Sequence, residues 1–79
     1  MRRLTEKQRA VLAELYQRTQ CTAIQLAEAA GFTLRATHQH LDALETKGML
    51  ASRVVFLLRR PLRVARIAPA GIVALAVQP

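Results

Sequence analysis

Apolar residues recur at helical spacing in the first stretch of this chain. Val11, Leu12 and Leu15 form one apolar stripe, and polar or charged residues occupy most of the positions around them. Thr5 begins a capping box, in which the side chains of a threonine and a glutamine three residues later bond the first backbone groups of a helix. The pattern predicts a helix over about residues 6–18.

The next stretch carries the pattern of two helices joined by a tight turn. Thr22 and Gln25 form a second capping box, and Gly31 can adopt the left-handed conformation that ends a helix. Thr33 is the expected N-cap of the following helix. This third helix is predicted over about residues 34–47, and its packed face is expected to comprise Leu34, Thr37, Leu41 and Leu44.

After Gly48, β-branched and aromatic residues replace the helical pattern. Residues 49–58 and 62–68 are predicted to form two antiparallel strands. The predicted loop between them is Arg59-Arg60-Pro61, because proline cannot donate a hydrogen bond to a strand ladder. Such a hairpin after two helices and a turn is a wing, here at about residues 53–67.

These elements predict one domain over residues 1–79, mainly α with a small β-hairpin (α+β class). The expected architecture is a winged helix-turn-helix of three helices and a wing, with a possible short C-terminal helix beginning near Pro69. The tail from Gly71 to Val77 is apolar and uncharged, so it must be buried either on this domain or on a second copy. A homodimer through this apolar C-terminal segment is therefore a hypothesis.

Charge is distributed unevenly along the chain. Residues 1–45 hold six basic and five acidic side chains, whereas residues 46–79 hold six basic and no acidic ones, which together give the net charge of +7. A basic C-terminal half favours a polyanionic partner such as DNA. The wing arginines predicted to contact the DNA backbone or the minor groove are Arg53, Arg59, Arg60, Arg63 and Arg66.

The outward face of the third helix holds side chains that can read base edges. Arg35 can pair with guanine, Gln39 can pair with adenine, and the methyl groups of Thr33 and Ala36 can contact thymine. The predicted base-reading set is Thr33, Arg35, Ala36, His38 and Gln39. Any amphipathic helix also has polar residues on its outer face, so each of these positions is open to a purely solvated role.

Four segments of the sequence resemble segments of known DNA-binding proteins. LTEKQRAVL, IQLAEAAGF and HLDALETKGML look like the winged helix-turn-helix domain of LexA-type repressors, and IAPAG is similar to the LTPAG segment of MarR-type regulators. Laid on the LexA pattern, the DNA-reading positions fall on the same five residues as above. The resemblance implies the winged helix-turn-helix fold. It also implies an operator different from that of LexA, because Arg35, His38 and Gln39 replace acidic and amide residues of that family. No self-cleavage is implied, because the LexA autocleavage domain has no counterpart in this sequence.

Other chemistry finds little support. His38 and His40 lie about 200° apart around a helix and cannot chelate one metal ion from the same face, so neither a metal nor a cofactor is expected. The single serine, Ser52, lacks a recognisable base and acid, so an enzyme is not expected. The apolar runs are too short for a membrane span, and Met1-Arg2-Arg3 does not begin a signal peptide. A cytoplasmic, nucleoid-associated protein of a prokaryote or phage is expected.

The sequence thus predicts a regulator of transcription, most simply a repressor, that binds a specific site on double-stranded DNA. Two alternatives remain open at this stage. The first is a winged-helix protein-interaction or assembly module, and the second is an architectural or replication-associated nucleic-acid binder. Both alternatives imply that Arg35 and Gln39 do not set a site preference.

Overall fold

The structure, a computed structural model, describes residues 4–77 of the chain. These residues form four helices and a three-stranded antiparallel sheet, which confirms the predicted mainly α fold with a small β wing. The prediction concerning Met1-Arg2-Arg3 lies outside the described residues. In chain order the elements are α1 (Glu6–Arg18), β1 (Gln20–Thr22), α2 (Ala23–Ala30), α3 (Leu34–Thr46), β2 (Leu50–Leu57), β3 (Arg60–Ile67) and α4 (Pro69–Val77).

Side-chain caps begin the first three helices, as predicted. The hydroxyl oxygens of Thr5 and Thr22 each accept a hydrogen bond of 3.1 Å from a backbone N–H three residues later, and both capping boxes are complete. Thr33 caps α3 in the same way, without the reciprocal side chain. Gly31 ends α2 in the left-handed conformation with φ of 74°. The turn between α2 and α3 is therefore fixed by local residues at both of its ends.

The core lies where α1, α2 and α3 meet the inner face of the sheet. Its largest fully buried side chains are aliphatic, as the low aromatic content requires. Thr37 is buried as well, and its hydroxyl donates a 2.9 Å hydrogen bond to the carbonyl oxygen of Thr33. The core cluster comprises Leu4, Val11, Leu12, Leu15, Cys21, Ala23, Leu26, Leu41, Leu44, Leu50 and Ala65.

The prediction that Leu34 is packed in the core is wrong, because its side chain is 45% exposed. Leu34 is the first residue of α3 and lies at the outer end of the helix, away from the fully buried Leu41 and Leu44. It lies instead beside a shallow apolar depression that also borders Ile24 and Val54. Leu34 therefore contributes to the surface between α3 and the wing.

The sheet has the strand order β1-β3-β2. Three residues of β1 pair with β3 between Val64 and Arg66, so the segment after α1 adds a third strand to the hairpin. The hairpin of β2 and β3 pairs over eight residues, from Leu50 opposite Ile67 to Leu57 opposite Arg60. Beyond the reach of β1, the wing is therefore a two-stranded ribbon.

The predicted loop Arg59-Arg60-Pro61 is displaced in the structure. The two-residue turn is Leu58-Arg59, with φ of 51° and 63°, and Pro61 lies inside β3 opposite Phe56. In a two-residue hairpin the closing pair exchanges both hydrogen bonds, so the next pair, Phe56 and Pro61, is not hydrogen-bonded. Pro61 therefore loses no ladder bond, because its nitrogen points to an edge that β1 does not cover.

The short C-terminal helix is also confirmed. α4 packs against α1 and the start of β2, and a guanidinium nitrogen of Arg9 donates a 3.2 Å hydrogen bond to the carbonyl oxygen of Leu75. A side chain at Gly71 would overlap the carbonyl oxygen of Met49 and approach Ile67 Cγ1 at 2.8 Å. The backbone of α4 can approach the strand this closely only because Gly71 has no Cβ. Within residues 4–77, no helix combines the length and the apolar character needed to cross a bilayer.

Candidate nucleic-acid interface

The first two turns of α3 present polar side chains to solvent. Arg35 and Gln39 are exposed, whereas Thr37 between them is fully buried. Residues two apart on a helix lie about 200° from one another, so both exposed side chains lie opposite the buried face. They are also one turn apart on the same side of the helix, which lets them contact neighbouring base pairs in a major groove.

The two remaining small residues of the predicted base-reading set differ in what they can offer. Thr33 is exposed, but its hydroxyl oxygen already accepts the capping hydrogen bond from the Ala36 backbone, so its methyl group is the part available for apolar contact. Ala36 is half-buried. The N-terminus of α3, with its positive helix dipole, lies beside these residues and favours a nearby phosphate.

His38 and His40 both differ in position from what the sequence suggests. The sequence suggests that His38 faces outward and that His40 packs near the wing. In the structure the half-buried His38 has Nδ1 3.3 Å from a guanidinium nitrogen of Arg63 in the wing. The ring of His40 contacts Phe32 in the turn, with 5.2 Å between ring centroids. His38 is therefore tied to the wing and is less accessible to a base than Arg35 or Gln39.

Arg63 connects the wing to α3. Its side chain is only 16% exposed, and its guanidinium nitrogens lie 2.8 Å from Asp42 Oδ1 and 3.1 Å from Glu45 Oε1. Arg63 Nε donates a 3.1 Å hydrogen bond to Ser52 Oγ, and that hydroxyl donates in turn to Glu45. We call these residues the Arg63 clamp: Arg63, Asp42, Glu45, Ser52 and His38.

The clamp bears on the predicted DNA contact of Arg63. In this arrangement its guanidinium group is bonded to protein groups, so a phosphate would have to displace them. Asp42 and Glu45 of α3 supply acidic groups to a wing that has none of its own. Strand alternation could have revealed this: Arg63 shares parity with the buried Ala65, so both point toward the helices.

The other wing arginines lie elsewhere. Arg60 and Arg66 have the opposite parity and lie on the outer face of β3, and Arg53 lies on the same face of β2, opposite Val64. Arg59 is in the turn, and all four arginines are exposed. Arg60 and Arg66 are six residues apart along the strand, about 20 Å. The structure thus brings Arg59 and Arg60 together but leaves Arg66 at the base of the sheet, opposite Ala51 and Gln20.

The end of the hairpin, residues 56–61, is named the wing tip here. Besides its two arginines it holds Phe56, Leu57 and Leu58, all of which are exposed. Their β-branched and aromatic pattern predicted strands, and no functional role was expected of them. Their exposure follows from the shortness of β1 and from the projection of the ribbon beyond the helices.

Groups suited to other chemistry are scarce in the part of the chain that the structure describes. Its His, Cys, Asp and Glu side chains form no cluster of three that could hold a metal ion. Cys21 is buried in β1, and that burial raises the pKa of its thiol above the ordinary value of 9.0, which keeps the thiol protonated and unreactive. The arrangement is suited to contacting a polyanion with one helix and one ribbon.

A family model described as winged helix-turn-helix DNA-binding matches residues 4–50 of the chain. This match covers α1, α2 and α3 and ends at the first residue of β2. No curated protein shows significant sequence similarity to the chain.

Solved structures share the fold over almost the whole chain. A mutant MepR from S. aureus bound to an oligodeoxyribonucleotide matches with a TM-score of 0.80 and 24% identity, over 92% of this chain and 54% of that chain. A mutant MarR from E. coli complexed with operator DNA matches with a TM-score of 0.77 and 19% identity, over 92% of this chain and 51% of that chain. ZitR from Lactococcus lactis, a zinc-responsive MarR family member, matches with a TM-score of 0.81 and 19% identity, over 95% of this chain and 51% of that chain.

This chain therefore spans about half the length of these structures. At such low identities the likeness establishes a shared fold. It supports the predicted similarity to MarR-type regulators, whereas the resemblance to LexA-type repressors stays a prediction from the sequence.

Proposed function

Because this chain belongs to the winged helix-turn-helix DNA-binding family, whose model it matches over residues 4–50, we propose that it regulates transcription by binding a specific site on double-stranded DNA. The observation that carries the proposal is the exposed pair Arg35 and Gln39 on the first turns of α3, next to a basic ribbon that the Arg63 clamp holds in place. In this proposal α3 enters the major groove. The simplest mode of action is repression, in which the bound protein blocks the access of polymerase to an operator. We propose that the protein acts in the cytoplasm and has no enzymatic activity.

Arg35 and Gln39 are the proposed main readers of bases, and Thr33 and Ala36 are proposed to add methyl contacts. His38 is proposed to support the reading face from the wing side, since its ring contacts Arg63. Arg53, Arg59 and Arg60 are proposed to contact phosphates or the minor groove. Arg66 is proposed to contact a more distant phosphate, because it lies at the base of the sheet.

The deciding experiment is selection of bound duplexes from a random DNA pool at two salt concentrations. A sequence motif that persists at the higher salt concentration supports a sequence-reading regulator. Arg35→Ala and Gln39→Ala are each expected to cost about 1–3 kcal/mol on the selected site and to relax the preference at one base position. Binding without a motif would identify an architectural role, and absence of binding would favour a protein-interaction module.

Arg60→Ala and Arg66→Ala form a matched pair for the wing, because both remove one exposed arginine from the same face of β3. Arg60→Ala is expected to weaken binding to all sequences and to reduce the salt dependence by about 0.9 for each phosphate that is no longer neutralised. An equal effect of Arg66→Ala would extend the interface to the base of the sheet. If Arg66→Ala bound DNA with the affinity of wild type, the interface would be restricted to the wing tip and α3.

We also propose that the chain forms a homodimer through α4. Tyr16, Ile72, Val73 and Val77 of α1 and α4 are 59%, 41%, 60% and 72% exposed, and Tyr16 and Ile72 border one apolar depression with Leu75 and Ala76. Sedimentation at tens of micromolar tests this proposal, with Val73→Asp as the disrupting variant. An inverted repeat in the selected DNA would support a dimer, and monomers at every concentration would contradict it.

A further inference from the structure

The wing tip is more apolar than phosphate contact requires. Leu58 is 89% exposed and Phe56 is 74% exposed, and Leu57 beside them is 60% exposed. Arg59 and Arg60 lie within the same six residues. Large apolar side chains held in water at the end of a ribbon contribute little to folding, so they point to a binding partner that covers them.

The turn that carries Leu58 is strained. Leu58 and Arg59 both adopt left-handed backbone conformations, with φ of 51° and 63°. Two-residue hairpin turns of this kind strongly prefer Asn-Gly or Gly, because a Cβ disfavours positive φ. Bulky residues therefore stand where the fold alone would select small ones. Such strain at an exposed apex is typical of a functional site.

The Arg63 clamp sets where this apex meets DNA. The clamp holds the ribbon at the pair Val54 and Arg63, and Leu58 lies four residues beyond Val54, or about 13 Å along the strand. With α3 in the major groove, the neighbouring minor groove is about half a helical turn away, or about 17 Å. The 42 Å length of the molecule, against 23 and 21 Å in the other directions, agrees with a projecting ribbon.

From these observations we propose that Leu58 is a wedge that enters a base-pair step from the minor groove and kinks the DNA. This proposal rests on the proposed function and deepens it. Phe56 contacts the sugars that line the groove, and Arg59 and Arg60 bind the phosphates on its two sides. Apolar wedges of this type bend DNA by about 20–90° toward the major groove. Flexible TA or CA/TG steps are therefore favoured at this position, without hydrogen bonds to the bases.

The test is the end-to-end distance of a dye-labelled duplex of about 30 bp, taken from the DNA pool bound by the chain. Free DNA of this length is straight, because the persistence length is about 150 bp. Saturating wild-type protein is expected to shorten the distance. Leu58→Ala and Leu58→Asn are expected to bind within about tenfold of wild type, because the cost of unstacking offsets the contacts of the wedge, and to leave the duplex straight.

Leu58→Asn guards against misfolding as an explanation, because asparagine tolerates positive φ and relieves the strained turn. Ile24→Ala is the matched control, since it removes an exposed apolar side chain from α2 that takes no part in the proposed DNA or dimer contacts, and it is expected to bend DNA as wild type does. Equal bending by wild type and both Leu58 variants would overturn the wedge. Binding of wild type to a duplex that stays straight would also overturn it, while leaving the DNA-binding proposal intact.

If wild type bound no DNA, both proposals would fail. Phosphatidylserine-rich vesicles are then the second probe, because their anionic surface can also accept a basic, apolar ribbon. Vesicle binding that Leu58→Ala abolishes would assign the wing tip to a lipid surface instead of a groove.

Discussion

Replacing Arg63 with methionine would separate two roles that an arginine in a wing can have. Methionine retains most of the aliphatic stem, which is packed between β3 and α3, and removes the guanidinium group. A direct phosphate contact would make Arg63→Met a DNA-binding variant with normal stability. The clamp instead predicts a less stable protein whose wing is poorly positioned.

The expected loss of stability follows from the partners of the guanidinium group. Each ion pair is worth about 0.2–1 kcal/mol, because the Asp42 and Glu45 side chains are 71% and 42% exposed and remain solvated. The hydrogen bonds with Ser52 and His38 add about 0.5–1.5 kcal/mol each. One guanidinium group makes all of these interactions, so they are not additive, and we expect a total of about 2 kcal/mol.

Thermal unfolding and salt-dependent DNA binding measure the two roles. A loss of about 2 kcal/mol lowers the Tm by roughly 8–16 °C in a domain of this size. DNA affinity is expected to fall while its salt dependence stays that of wild type, because Arg63 neutralises no phosphate. Asp42→Asn combined with Arg63→Met is expected to destabilise by less than the sum of the single variants.

Arg60→Met is the control, since Arg60 is exposed on the outer face of the same strand. Its expected pattern is the reverse: an unchanged Tm and a weaker salt dependence. The clamp reasoning would be refuted if Arg63→Met kept the wild-type Tm and reduced the salt slope by about one unit, as removal of a phosphate-binding side chain does.

Three further predictions concern stability. Gly71→Ala is expected to destabilise by about 2 kcal/mol in urea, because overlap with the Met49 carbonyl oxygen outweighs the helical preference for alanine; a gain in stability would mean that α4 shifts freely. Leu58→Asn is expected to stabilise by about 1 kcal/mol, because it relieves a positive φ, and a loss would contradict the strain argument. Burial raises the pKa of the Cys21 thiol above 9.0, so the unfolded chain releases this proton first, and stability is expected to fall above about pH 9; Cys21→Ala should remove this part of the decline.

Local signals predicted the helices well. The beginning of α1, α2 and α3 depends on capping residues that bond within one turn, so a short stretch of sequence contains the whole cause. Most of the predicted buried face of α3 was also correct, because helical periodicity can be read from a short stretch of sequence. Leu34 was the exception, because its burial depends on which neighbouring element reaches the end of the helix.

Interactions between distant residues explain the errors in the wing. Proline and arginine suggested a loop at Arg59-Arg60-Pro61, whereas pairing of β3 with both β1 and β2 sets the register and moves the turn to Leu58-Arg59. The role of Arg63 depends on two carboxylates about twenty residues away in α3. Of the predicted DNA-binding residues, Arg35 and Gln39 keep their exposed positions, and their binding role stays a prediction.

The glycine at position 71 also couples distant parts of the domain mechanically. α4 rests directly on the backbone at Met49, and the Ala68 N–H donates a 3.0 Å hydrogen bond to the Met49 carbonyl oxygen. Met49 is the single residue between Gly48 and the first residue of β2, so it lies at the joint between α3 and the wing. A tilt of α4 is therefore transmitted to this joint directly, because the contact is between backbone atoms and no flexible side chain lies between them. A partner bound to α4 could thus change the angle between helix and wing, and with it DNA affinity, without touching DNA.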